Sequence, residues 1–136
     1  RSVTSNLGDS SELAGVPLAL PALARAHKLG KRAARVQFDW PEPSGVRAKI
    51  DEELREVETA VSTNEQREEI GDLLVAVANW ARHLGIDAEE ALRLANAKFE
   101  RRFRQMETLA KQRSIPLHEL QPDDWEALWS LAKRTP

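Results

Sequence analysis

Residues 51–72 read DEELREVETAVSTNEQREEIGD, and two acidic pairs stand in this stretch: Glu53-x-x-Glu56 and, after twelve residues, Glu69-x-x-Asp72. An i, i+3 interval places both members of a pair on one side of a helical turn. The spacer is long enough to finish one helix, turn, and begin an antiparallel one. Two acidic pairs on facing helices converge on one point, and four like charges there require a cation. Hard oxygen donors favour Mg²⁺, with Mn²⁺ as a substitute, and Mg²⁺ commonly arrives with phosphates. The stretch therefore predicts a helical hairpin that carries a metal site for phosphate chemistry.

Working outward, Val46, Ile50, Leu54, Val57 and Val61 recur at the interval of a buried stripe and predict a helix over residues 46–61. At about 100° per residue that stripe centres near Ile50, with Glu53 about 60° and Glu56 about 120° to one side. Glu52 points away from the core, as a supporting or solvent residue. Thr63-x-x-Gln66 has the form of a capping box and opens the next helix, which Gly85 stops. Glu69 and Asp72 flank its expected stripe of Ile70, Leu74, Val77 and Ala81. Asp72 is the sharper signal, because it precedes the apolar run 73–78, where an uncompensated carboxylate is costly. A solvated acidic face is the competing reading of any lone E-x-x-E.

Upstream, a basic helix is expected over residues 21–36, with Lys28, Arg32 and Arg35 read as a solvated face, followed by a loop containing Pro41, Pro43 and Gly45. Downstream, Asp87 caps a long helix reaching about residue 112, and Pro122 starts a short one that holds Trp125 and Trp129. No strand pattern is present. The expectation is an all-α, four-to-five-helix bundle over residues 17–136, preceded by a polar, patternless tail over residues 1–16. The first residue is Arg1, so a piece of a longer chain is also expected.

Composition removes several classes. The 136 residues contain no cysteine, which excludes disulfides, thiolate metal sites and cysteine nucleophiles. His27, His83 and His118 are far apart and show no metal-ligand spacing. A formal charge of -2 argues against a dedicated nucleic-acid binder. No apolar run reaches the ~20 residues of a membrane helix, and no targeting signal is visible, so a cytoplasmic protein is expected.

Two further groups complement the acidic pairs. Lys98 and Arg102, at i, i+4 on the long helix, suit phosphate oxygens, the first as a point charge and the second as a fork. Trp129 and Lys133 repeat the interval on the last helix, where an indole could stack on a base while the ammonium meets phosphate. Salt bridging within the helices, or core filling by Trp129, is the alternative for each.

At these positions the chain resembles the MazG family of nucleoside triphosphate pyrophosphohydrolases, within the all-α NTP pyrophosphatase superfamily. The words that carry the likeness are KLGKRAARVQFDWP at 28–41, DEELREVE at 51–58, EEIGDLL at 68–74, NWARHLG at 79–85 and ANAKFERRFRQME at 95–107. The resemblance implies Mg²⁺-dependent hydrolysis of NTP or dNTP to monophosphate and pyrophosphate, by attack of water on the α-phosphorus. It places the metal on Glu53, Glu56, Glu69 and Asp72, with Glu52 completing the E-E-x-x-E form. Lys98, Arg102, Trp129 and Lys133 fall to the substrate. For orienting or deprotonating the water the candidates are Glu53 and Glu52, with Glu53 preferred because it faces inward. It further implies a homodimer, a place as the C-terminal domain of a tandem chain, and a house-cleaning role. The apolar run LLVAVANWA at 73–81 independently asks for burial in a bundle centre or subunit interface. A non-catalytic helical module that dimerises or binds a partner, keeping a residual acidic surface, is the rival reading.

Overall fold

Five α-helices and one short 3-10 turn make up the regular structure of the computed structural model, which describes residues 9–134. They are α1 (Ala22–Ala34), α2 (Pro43–Thr59), α3 (Thr63–His83), α4 (Ala88–Gln112), the turn Leu117–Glu119, and α5 (Pro122–Lys133). No strand occurs among the described residues, so the all-α expectation holds. No described helix is long and apolar enough to cross a membrane. Residues 1–8 of the expected tail lie outside the described part. Within 9–16, Val16 is buried, and Arg32 Nη1 donates to the carbonyls of Glu12 and Ala14.

The chain divides into two compact units after Ala91. In the first, α3 packs against both α2 and α1. Pro21 and Pro43 sit where a missing N–H is harmless, at the entry to α1 and in the first turn of α2. The cap of α3 differs from the sequence expectation. Ser62, not Thr63, is the N-cap: its hydroxyl accepts from the Glu65 N–H at 3.1 Å, while Glu65 Oε2 accepts from the Val61 N–H at 3.2 Å. Thr63 already has helical geometry, so its side chain is one position too late to cap. Gly85, with φ +77°, ends the helix as expected, and Asp87 Oδ1 accepts from the N–H of Glu89 at the head of α4.

On α2 the buried line runs through Val46 and Ile50 as expected, with Glu53 beside it, whereas α3 turns a different face inward from the one its apolar periodicity predicts. On α2 the buried residues are Val46, Ile50 and Glu53, while Leu54 is half exposed and Val61 lies open. On α3, Ala76 and Ala78 are buried, while Ile70, Leu74 and Val77 remain exposed. Small side chains let helix backbones approach, so the alanine face of α3 meets its neighbours. The larger aliphatic residues are left as an uncovered stripe. In the second unit, Met106, Ala110, Leu120, Leu128 and Ala132 form a core. Phe103, Trp125 and Trp129 pack around it, with the Phe103 and Trp125 rings stacked 5.8 Å apart.

Candidate metal centre and its cavity

The turn between α2 and α3 brings Glu53 opposite Glu69 and Asp72, so that one carboxylate oxygen from each lies within 4.8 Å of the other two. Glu53 is buried, Glu69 half-buried and Asp72 exposed. The two oxygens of Glu53 have different surroundings. Oε1 is 2.9 Å from Lys49 Nζ, one helical turn back, whereas Oε2 is buried with no hydrogen-bond partner. A buried carboxylate oxygen left unpaired costs on the order of 1–3 kcal/mol or more, which a ligand at that position would remove. Partial burial, and then the negative charge of Glu56, Glu53 and Asp72, push the Glu69 carboxyl above its ordinary pKa. Lys49 moves upward too, chiefly through its bond to Glu53. The group therefore carries more negative charge than its one ammonium balances. Crowded carboxylates with an orphaned oxygen fit a hard divalent cation.

Not every expected ligand joins this group. Glu56, one turn beyond Glu53, is exposed and lies outside the three-residue set, although its charge is felt at Glu69. Its larger angular offset from the buried line of α2 is the reason. Glu52 is exposed and faces solvent as expected, 3.4 Å from Lys49 Nζ.

A cavity of about 270 Å³ opens beside the carboxylates, with Lys49, Glu53 and Asp72 on one wall and Trp40, Val75, Ala76 and Asn79 completing it. Sequence reading gave no site role to Lys49, Trp40 or Asn79. The i, i+4 interval of Lys49 to Glu53 was a visible signal; the position of Trp40, in a proline-flanked loop, was not. That loop is tied to the end of α3. Asp39 receives a bidentate bond from Arg82, at 2.8 and 3.0 Å, and Oδ1 also lies 2.7 Å from His83 Nε2. The Arg82 bonds lower the Asp39 carboxyl to about 2, against an opposing effect of burial, with His83 contributing in the same direction as Arg82.

The second unit holds the cationic residues. Lys98 and Arg102 line a cavity of about 490 Å³ together with Arg101, Arg104 and Thr108. The Arg102 guanidinium lies 5.6 Å from the centre of the Trp129 ring, and Phe99 stands 5.7 Å from the same ring. Lys133 is exposed.

Among the described residues the fold is all-helical, and its central hairpin gathers three carboxylates beside a cavity. The chain matches the MazG nucleotide pyrophosphohydrolase domain over residues 42–106. It is 40% identical over 124 residues to the nucleoside triphosphate pyrophosphohydrolase/pyrophosphatase MazG of Thermotoga maritima, an alignment covering 91% of this chain and 49% of that protein. It is 43% identical over 129 residues to the nucleoside triphosphate pyrophosphohydrolase of Escherichia coli K12, covering 91% and 49% respectively. A Bacillus subtilis protein called YabN is 40% identical over 134 residues, with 27% of its length covered. The chain thus spans about half the length of the curated pyrophosphohydrolases it matches.

Proposed function

We propose that this chain hydrolyses nucleoside triphosphates to nucleoside monophosphate and pyrophosphate, with Mg²⁺ as the cation and Mn²⁺ as a substitute. The observation that carries the reading is the buried, unpartnered Oε2 of Glu53 within the three-carboxylate group. The names of its relatives point the same way. In this reading Glu53, Glu69 and Asp72 hold the cation, and Glu56 adds negative charge at the rim. The bound cation supplies Lewis-acid neutralisation of the triphosphate.

The chain's own groups do the rest. Lys49 holds Glu53 Oε1 and so presents Oε2 to the site. Glu53 orients the attacking water or takes its proton, with Glu52 the second candidate for that role. The α-phosphorus is the target, and pyrophosphate is the leaving group. Lys98 and Arg102 bind phosphate oxygens, Arg102 in the fork geometry that suits them, and Trp129 and Lys133 are assigned to substrate as well.

The exposed stripe of Ile70, Leu74 and Val77 supports a homodimer formed over α3, because contiguous apolar surface of this kind is normally covered. A wider role in clearing unwanted nucleotides, and a place in a longer tandem chain, belong to the same proposal.

Incubation with a panel of (d)NTPs and Mg²⁺, with and without chelator, tests the activity. Monophosphate and pyrophosphate are the expected products, lost on chelation. Diphosphate as the first product, or turnover indifferent to chelator, would refute the proposal.

A further inference from the structure

The cavity beside the carboxylates has one wall that metal and phosphate chemistry leave unused. Trp40 brings an indole, 37% exposed, into the same 270 Å³ space as Glu53 and Asp72. Its neighbours there, Val75 and Ala76, are apolar. An aromatic ring facing such a space, next to a place for triphosphate, has the chemistry of a stacking surface for a planar heterocycle.

Two devices hold the ring. The preceding residue, Asp39, is fastened to Arg82 and His83, and its Oδ1 also accepts from the Trp40 N–H at 2.9 Å. On the other side, Gly45 leaves room for the indole: a Cβ built there would meet Trp40 Cδ1 at 2.7 Å and Cγ at 3.3 Å. A side chain that is partly exposed yet held from both sides does not look like a spare surface tryptophan. Asn79 is held too, its Oδ1 accepting from Arg82 Nε at 3.4 Å. Asn79 lines the same cavity.

We propose that Trp40 is the base platform of this site: it stacks on the nucleobase of the triphosphate, while the Asp39–Arg82–His83 brace and the seat at Gly45 set its position. This rests on reading the neighbouring carboxylates as the triphosphate centre. Trp40 thereby becomes a residue that sets preference among bases, and the triphosphate tail is bound independently of it.

Calorimetric binding of two ligands in saturating Mg²⁺ separates the contributions. One is an α,β-methylene nucleoside triphosphate, which resists hydrolysis, and the other is inorganic tripolyphosphate, which lacks a base. Trp40→Ala should weaken the nucleotide by roughly 5- to 150-fold, the range for removing one base-stacking aromatic, and leave tripolyphosphate unchanged. Trp40→Phe should keep most of the nucleotide affinity. Gly45→Ala, which moves the ring without deleting it, should weaken the nucleotide alone. Circular dichroism confirms that each variant is folded. Equal nucleotide affinity in Trp40→Ala and the parent would overturn the proposal, as would an equal loss for both ligands. A parent that binds nucleotide through Trp40 but ignores tripolyphosphate and Mg²⁺ would instead refute the metal centre and leave the platform standing. Binding of neither ligand by the parent overturns both.

Discussion

Replacing Asp39 by Asn tests the brace that joins the loop before α2 to the end of α3. The substitution keeps the side chain's shape and removes its charge. A carboxyl whose pKa falls from 3.8 to about 2 on folding, mainly through Arg82, favours the folded state. At about 1.4 kcal/mol per pKa unit the gain is about 2 kcal/mol once both states are ionised. The Asp39 side chain is 18% exposed, so solvent screens it only modestly. Because the folded pKa is the lower one, the contribution is complete above about pH 4 to 5 and disappears as the pH falls toward 2. At pH 3 roughly half should remain. Arg82, at 12% exposure, also loses its bidentate partner in the variant, which adds a penalty at either pH. Urea unfolding of parent and Asp39→Asn at pH 7 and pH 3 gives the needed comparison. The stability gap should be about 2 kcal/mol or more at pH 7 and smaller by about 1 kcal/mol at pH 3. A gap below about 0.5 kcal/mol at pH 7, the level of an ordinary surface substitution, would show that the bidentate contact does not hold the loop. An equal gap at both pH values would show that the charge is not the source.

Glu53→Gln should fold yet lose most of its thermal stabilisation by Mg²⁺. That stabilisation is worth about 2.7 kcal/mol in the parent at a hundredfold excess over Kd, so scanning fluorimetry with a Mg²⁺ titration would register the difference. Glu52→Gln, at an exposed position, should lower turnover less than Glu53→Gln in a steady-state assay; an equal loss would move the proton-handling role toward Glu52. Leu74→Glu puts a charge into the exposed stripe of α3 and should shift the chain to monomer mass in light scattering with its helicity kept; an unchanged dimer mass would place the interface elsewhere. Arg102→Ala should reduce kcat/KM by roughly tenfold or more, as expected for losing a charge-assisted phosphate contact of about 1.5–3 kcal/mol, and unaltered kinetics would remove Arg102 from the site.

Much of this architecture lies in local sequence. Prolines at helix starts, Gly85 and Asp87 at the break between α3 and α4, and the 3.6-residue recurrence of apolar residues act within a few positions, so they can be read without knowing the fold. The two acidic pairs are local in the same sense. The twelve-residue spacer between them leaves little choice but a tight antiparallel hairpin, and Glu53, Glu69 and Asp72 do converge across it. Which face α3 buries was not legible. Periodicity centres α2 near Ile50, which is buried with Glu53 beside it, but it favours the line through Leu74 on α3, where packing selects Ala76 and Ala78. A helix settles where backbones approach closely, so the small side chains of α3 outrank its larger ones, and the large ones stay open. The cap of α3 fell on Ser62 instead of Thr63 for a similar reason, since either hydroxyl suits the role and backbone geometry chooses. Trp40, Lys49 and Asn79 reach the carboxylates from three different segments. Only tertiary structure could bring them to one cavity, because Trp40 depends on an ion pair between residues 39 and 82, a contact across 43 positions that no local pattern encodes.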